Sequence, residues 1–272
     1  MSVITVSREL GSGGGEIAKG VAQKLSYNYV DREIILEAAK SYSVPEKKLE
    51  EVFTKRPRFI ERFVEDQRIY LIFIEDIILK FALKDNIVIV GSGGHISLKN
   101  ISHVLKVRLT APLPKRVETI MKSKELDKKK AEEMVMKNDK DRMSRMHYLY
   151  DIDWRDPTQY DIVINTESLT QECAIDMIIN TIKREDFTPT DKSRRALEDK
   201  ALTCNIKARL ATHPLIIMSN IDIMTEERTV TITGSVFSGN EKSLVIETVK
   251  EIVGDNYIDN LSIVHPPQGD LF

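Results

Sequence analysis

The stretch Val3-Ile4-Thr5-Val6-Ser7-Arg8-Glu9-Leu10-Gly11-Ser12-Gly13-Gly14-Gly15-Glu16-Ile17 decides the fold. Its first four residues are apolar or β-branched, which predicts a strand, and Ile17, Val21 and Leu25 then recur every fourth residue as the apolar face of a helix. Between them stand four glycines in five positions, Gly11, Gly13, Gly14 and Gly15, interrupted by Ser12. Without Cβ atoms their backbone N–H groups can converge on an anion, and a helix start adds partial positive charge. The loop reads as a phosphate cradle, with a ligand-free glycine turn as the plainer alternative.

Two kinds of cradle share this outline. A dinucleotide fingerprint wants glycine almost directly after the strand, a third glycine three residues past the second, and an acid about twenty residues on. Asp31 supplies the acid, but four residues separate strand from glycine and Glu16 stands at the third glycine position. The longer spacer favours a mononucleotide P-loop over positions 8 to 15. In that register Arg8 occupies the leading glycine position, Gly14 the lysine position and Gly15 the position of the Mg²⁺-binding hydroxyl.

Further along come Tyr29-Val30-Asp31-Arg32-Glu33-Ile34-Ile35, then Val88-Ile89-Val90-Gly91 with Gly93-Gly94. The pair Asp139 and Arg142, the segment Asp153-Trp154-Arg155-Asp156-Pro157, and Tyr160-Asp161-Ile162-Val163-Ile164-Asn165-Thr166 follow. Together with the opening stretch, and in this order, these pieces resemble the cytidylate kinase-like family, a divergent branch of the P-loop nucleoside monophosphate kinases. The resemblance covers about residues 1 to 185. It implies ATP as donor with Mg²⁺, and CMP or dCMP as acceptor. Members of that family often carry an arginine beside the glycine corresponding to Gly91; this chain has Ser92.

Composition bounds the rest. The 272 residues suffice for two modest domains, with 42% hydrophobic residues for cores and 30% charged residues for surface. A net charge of −2 gives no global pull toward nucleic acid. Cys173 and Cys204 have no metal or redox motif around them and read as buried reduced thiols. No signal core or uninterrupted run of eighteen apolar residues is present, so a cytoplasmic protein without a membrane span is expected.

The candidate site residues gather at predicted strand ends, where α/β sheets bind ligands. Residues 27–31 form a second strand that delivers Asp31 and Arg32 to that edge, as acceptor contacts or as caps of the next helix. Residues 32–84 read as helices broken at Pro45 and near Pro57. Phe53, Phe59, Phe63, Phe73 and Ile77 there belong to a core, and Arg56, Arg58, Arg62 and Arg68 belong to a pocket or a solvated face. A strand over 86–91 ends in Gly91 and Ser92; His95 and His103 lack acid partners at recognisable spacing and read as structural. After a strand over 104–111, Pro112 and Pro114 open a helix that contains Arg116, and the charge-dense segment 122–145 has the location of a lid bringing arginines over a phosphoryl group. Arg142 and Arg145 lie three apart on one helical face, with Asp139 nearby. A strand over 160–166 and a helix over 169–182 complete a parallel, three-layer α/β domain with helical insert and lid, expected over 1–185.

Charge and Pro189 mark a linker at 186–191. Beyond it a helix (195–211), two alternating strands (216–223 and 229–236), a helix (241–253) and a strand (257–264) predict a small α+β unit of order αββαβ. That order, with Thr229-Val230-Thr231-Ile232-Thr233-Gly234-Ser235-Val236 before the second helix, resembles a BON domain over about 192–265, followed by a tail at 266–272. The resemblance implies a lipid or protein partner.

The expectation is therefore a nucleoside monophosphate kinase. Arg8, Arg142 and Arg145 act on the transferring phosphoryl, and Gly11 to Gly15 hold the donor. Asp31, Arg32, Gly91, Ser92, Arg116 and Asp139 meet the acceptor. A non-catalytic nucleotide sensor acting through the BON-like part is the alternative, because the loop lacks lysine and hydroxyl. A dinucleotide-dependent oxidoreductase survives only through Gly11, Gly13 and Asp31.

Overall fold

The computed structural model describes residues 2–54 and 61–264, with side chains given outside 53–66. Arg56, Arg58, Phe59 and the tail 266–272 fall outside the described residues, as do the side chains of Phe53, Arg62 and Phe63.

The chain opens with β1 (Val3–Arg8), the glycine loop and α1 (Gly14–Leu25), then β2 (Asn28–Val30). An insert of α2 (Glu33–Ser41), α3 (Glu46–Thr54) and α4 (Glu61–Ala82) leads to β3 (Ile87–Val90) and a single turn, α5 (Gly94–Ser97). Next come β4 (Val104–Thr110), α6 (Leu113–Lys124), α7 (Lys128–Tyr150), β5 (Ile162–Asn165) and α8 (Gln171–Ile182). The five strands are parallel in the order β2-β3-β1-β4-β5.

This order removes the support for dinucleotide binding. In that fold the strand carrying the ribose-binding acid is the immediate neighbour of the first strand. Here β3 lies between β1 and β2, which sets Asp31 two strand spacings, roughly 10 Å, from the strand that feeds the loop.

Alternation along β1 explains the layering. Ile4 and Val6 point to one face and pack with Ile17, Ala18 and Val21 of α1 and Ala174, Ile175 and Ile178 of α8. Val3 points to the other face, where Ile34 and Ala38 of α2 and Ile74, Ile77 and Ile78 of α4 cover the sheet. A strand buried on both sides must be apolar at nearly every position. Lys24 at the end of α1 bridges Glu172 and Asp176 of α8, tying the outer helices together.

The second part begins with α9 (Asp191–Ala211), whose Thr190 and Ser193 form a reciprocal capping box. The stretch expected as a linker carries a 3₁₀ turn at Glu185–Phe187, and Phe187 packs on the α1/α8 core. Then follow β6 (Ile221–Glu226), β7 (Thr229–Val236), α10 (Gly239–Val253) and β8 (Tyr257–Ile263). β6 and β7 are antiparallel, and β7 and β8 parallel. Ile206 and Leu210 of α9, with Val245 and Val249 of α10, cover one face of this sheet. One turn earlier, Leu197, Ala201 and Cys204 of the same α9 enter the core beside α4; Cys204 is buried as expected, whereas Cys173, in the first turn of α8, is exposed. Among the described residues no helix is long and apolar enough to cross a membrane.

Candidate functional site

Parallel register brings three strand ends to one edge. Val6 stands beside Val90 on one side and Val107 on the other, so the glycine loop, the turn after β3 and the end of β4 share the rim where such sheets bind ligands. The loop itself is tightly folded. Gly11, at φ +84°, has no room for a side chain, since an added Cβ would come within 2.5 Å of the Arg116 carbonyl oxygen. Gly13, also left-handed, is the N-cap of α1, and no side chain caps the helix start. The first amides of α1 therefore have no acceptor within the helix and point toward whatever occupies the cradle. Ser12 is buried; its hydroxyl donates to the Glu9 carbonyl at 2.9 Å.

Beneath the loop, Glu9 is the anchor. Its carboxylate accepts from Arg108 Nη2 at 2.7 Å, Thr110 Oγ1 at 2.6 Å and the Ala111 amide at 3.3 Å, with Arg116 Nη1 at 3.4 Å. A nearly buried carboxylate is tolerated only with such partners. Sequence reading assigned no role to Glu9 or Arg108. The signal lay in Val104-Leu105-Lys106-Val107-Arg108-Leu109-Thr110, where a charge on a two-face-buried strand has to find a counter-charge inside.

Arg116 and Asp139, expected at the acceptor, are instead bonded to each other. Arg116 Nη1 and Nη2 donate to Asp139 at 2.8 and 2.6 Å, and Nε donates to the Leu10 carbonyl at 2.8 Å. The pair pins α7 to the loop. Arg32 sits apart on the insert surface, paired with Glu46 at 2.5 Å and Glu50 at 3.0 Å. The sequence placed it near the mouth because it follows Asp31, but the start of α2 turns its side chain toward α3.

Arg8, Asp31, Gly91 and Ser92 do converge. Arg8 Nη2 donates to Asp31 at 2.7 Å, and Tyr29 reaches the same carboxylate at 3.4 Å. Burial, with the Asp31 charge adding to it, pushes the Tyr29 hydroxyl up to about 12. Gly91, Ser92 and Gly93 are all left-handed, at φ +72°, +50° and +79°, and fold the turn after β3 down beside Arg8.

The segment expected as a lid is largely α7, a 23-residue helix lying across this rim. It is tied at Asp139 to Arg116, and at its far end the Tyr150 hydroxyl lies against Gly93. Between these ties Arg142 reaches down to the loop. Its Nη1 donates to the Arg8 carbonyl at 2.5 Å and its Nη2 to Ser7 Oγ at 2.9 Å, while the guanidinium lies 4.3 Å over the Trp154 ring. No described carboxylate pairs with it. Desolvation, then the charges of Arg8, Arg108 and Arg145, pull Arg142 down to about 10, so it stays protonated at neutral pH. Arg145 is buried one turn further on, and burial lowers its pKa as well.

Trp154, reached in sequence only as part of a resemblance, holds both arginines: Arg108 lies 4.1 Å over the same ring and donates to the Trp154 carbonyl at 2.5 Å. Tyr160 donates to that carbonyl at 2.8 Å and stacks on His95. His95 is the structural histidine that was expected. Burial first, then Arg142, Arg108 and Lys106, drive it down to about 3, which keeps it neutral and adds no positive charge beside the arginines.

The result is a rim with helix amides, Arg8 and Arg142 on the loop side and Asp31 with the Gly91 turn on the other. Such a rim can hold a multiply charged phosphate chain next to a second polar molecule. Among the described residues no group of three or more His, Cys, Asp or Glu is arranged to hold a metal ion, so a cation here would be carried mainly by phosphate oxygens and water.

Residues 3–168 match the model of the cytidylate kinase-like family, and residues 198–264 match that of the BON domain. A cytidylate kinase of Sulfolobus acidocaldarius is 28% identical over 185 residues, 68% of this chain and 96% of that protein. A uronate isomerase of Corynebacterium glutamicum is 34% identical over 104 residues, 38% of this chain, and the chain spans only 20% of that protein. Among solved structures, an uncharacterized protein from Eubacterium ventriosum aligns with a TM-score of 0.52 at 23% identity over 68% of this chain and 100% of its own, a likeness of fold alone.

Proposed function

The chain belongs to the cytidylate kinase-like family and carries a BON domain behind it, and on that basis we propose that it binds MgATP and a pyrimidine nucleoside monophosphate, CMP or dCMP, and transfers the γ-phosphoryl group between them. The observation that carries this reading is Arg142. A guanidinium held by a carbonyl and a hydroxyl, with arginines around it and no carboxylate among the described residues, is an unneutralised positive charge aimed at a phosphate cradle. Phosphoryl transfer needs chiefly such positioning and charge stabilisation, because little covalent chemistry is asked of the protein.

In this reading the amides of Gly13 to Glu16 and Ser12 hold the donor phosphates, and Arg142, with Arg145 behind it, faces the transferring group. Asp31 orients the acceptor beside the Gly91 and Ser92 turn. Bound Mg²⁺ would screen charge between the donor phosphates. The cytidylate kinase relative supports the choice of acceptor. The test is transfer from MgATP to CMP, dCMP, UMP, AMP and GMP with chromatographic resolution of products. A diphosphate formed from CMP or dCMP in preference to the others is the expected result. Calorimetric binding of MgATP without any diphosphate would favour the sensor reading, which the missing P-loop lysine motivates.

For the BON domain a lipid or protein partner is proposed. The outer face of its sheet sets Met224, Thr231 and Ile258 side by side, with Met224 62% and Ile258 48% exposed. Full-length protein should co-sediment with vesicles containing phosphatidylglycerol, and less so after Met224→Glu with Ile258→Glu. Pelleting no greater than without vesicles would rule out lipid and leave a protein partner.

A further inference from the structure

A phosphate loop of the ordinary kind has glycine in its first position and lysine in its seventh. This chain has the reverse, with Arg8 first and Gly14 seventh, and the packing accounts for the exchange. A Cβ built on Gly14 would lie 2.7 Å from the Arg8 Cβ, 3.2 Å from Leu109 Cδ1 and 3.3 Å from Ser12 Oγ. Saturated carbons pack at about 3.5–4.0 Å. Only one of the two positions can carry a side chain. The crowding against Arg8 does not extend to the next position, because a Cβ added at the adjacent Gly15 would meet nothing within 4 Å.

Side chains leaving from points so close share one channel. Arg8 fills it, passes beside Gly91, whose added Cβ would be 3.1 Å from Arg8 Nη1, and ends on Asp31. Among the described residues that bond uses Nη2 alone, leaving donors on Nη1 and Nε for a ligand. We propose that Arg8 and Gly14 act as one unit: Arg8 delivers from the end of β1 the phosphate-contacting cation that a lysine would deliver from the helix, and residue 14 is glycine because residue 8 is not. The inference rests on the nucleotide-binding reading above and goes beyond it by assigning the lysine's role to one residue and giving the reason for the empty position.

The test uses full-length Gly14→Lys, Arg8→Gly, Arg8→Ala/Gly14→Lys and Arg8→Gly/Gly14→Lys. It reads the melting temperature without ligand and MgATP affinity by calorimetry. Gly14→Lys should melt about 5 °C or more below the parent. Arg8→Ala/Gly14→Lys should stay as low, since the alanine Cβ keeps the clash, whereas Arg8→Gly/Gly14→Lys should recover most of the loss. Arg8→Gly should bind MgATP at least about tenfold more weakly, and adding lysine at 14 should restore it. Melting of Gly14→Lys like the parent, or equal recovery in both double variants, would overturn the exclusion. Undiminished MgATP binding by Arg8→Gly would overturn the cation role. A parent that binds no MgATP would overturn the nucleotide reading itself and Arg8's role with it, while the ligand-free melts still decide the exclusion.

Discussion

Arg142→Ala is expected to lower phosphoryl transfer to the preferred acceptor by about a thousandfold or more, the scale set by arginines that face a transferring phosphoryl group, while changing stability by no more than about 2 kcal/mol. The two halves of this result have one cause. Removing one member of a buried ion pair leaves the other charge stranded, which costs several kcal/mol. Arg142 has no carboxylate partner among the described residues, so its removal strands no charge; it loses two hydrogen bonds and the contact with Trp154, and it relieves repulsion from Arg8, Arg108 and Arg145. Arg142→Lys should not rescue transfer, because one ammonium cannot reach the Arg8 carbonyl and Ser7 Oγ with the planar fork that does so now. Steady-state kinetics beside urea unfolding checks both halves. Trp154, the one tryptophan of the chain, should also change its emission when the guanidinium leaves its face. A large stability loss with transfer nearly intact would make Arg142 a structural residue and remove the main support for the kinase reading.

Ending the chain at residue 190 is expected to cost more than about 5 kcal/mol, comparable with the whole stability of a typical domain, and to leave the kinase-like part aggregated or partly unfolded. The reason is α9. Leu197, Ala201 and Cys204 are buried against α4, and a core leucine alone is worth about 2–5 kcal/mol. Polar ties run along the same seam: His103 meets Ser193 at 2.9 Å, Asn205 donates to Asp76 at 3.2 Å, and Arg194 pairs with Asp85 at 3.2 Å. Asp76 is 1% exposed on its side chain and also accepts from Tyr42 and from Lys80 at 2.6 Å, so losing Asn205 weakens a buried network and not a surface contact. Leu197→Ala in the full chain should lower unfolding free energy by about 2–4 kcal/mol within one transition, because α9 belongs to both cores. A chain of residues 1–190 melting within a few degrees of the parent would show that the kinase-like part does not need α9.

Much of this architecture was legible before any coordinates. The β-branched run, the glycine loop and the four-residue recurrence of Ile17, Val21 and Leu25 specify strand, cradle and helix because each signal is local. The αββαβ order of the last third was legible for the same reason. Ranges drifted by a few residues where capping decides the boundary, as at Thr190, whose capping box starts α9 at Asp191 and not near Arg195.

The site was only partly legible. Arg142 and Arg8 stand where the spacing put them, at the loop. Arg116 and Asp139 carry the residue types that bind substrates, yet their geometry ties them to each other, and which acid a given arginine will meet is a matter of three-dimensional distance. Glu9 and Arg108 were given no role because they lie about 100 positions apart along the chain, and Trp154 was not seen as their neighbour because its carbonyl meets Arg108 about 45 positions away.

By itself the sequence determined the class of the protein: a parallel α/β unit with a glycine-rich loop after its first strand, the family it belongs to, and a small α+β unit behind it. Hydrophobic period, glycine placement and strand length act over a few residues, so a linear reading captures them. Tertiary structure alone decided three things. Strand order put β3 between β1 and β2 and so set Asp31 two strands away from the one that feeds the glycine loop. Packing brought the Arg8 Cβ to within 2.7 Å of where a Cβ at position 14 would stand. Packing placed α9 in two cores at once, Leu197, Ala201 and Cys204 in one and Ile206 and Leu210 in the other. Each depends on which distant segments pack together, and packing is a property of the folded surface that no local pattern encodes.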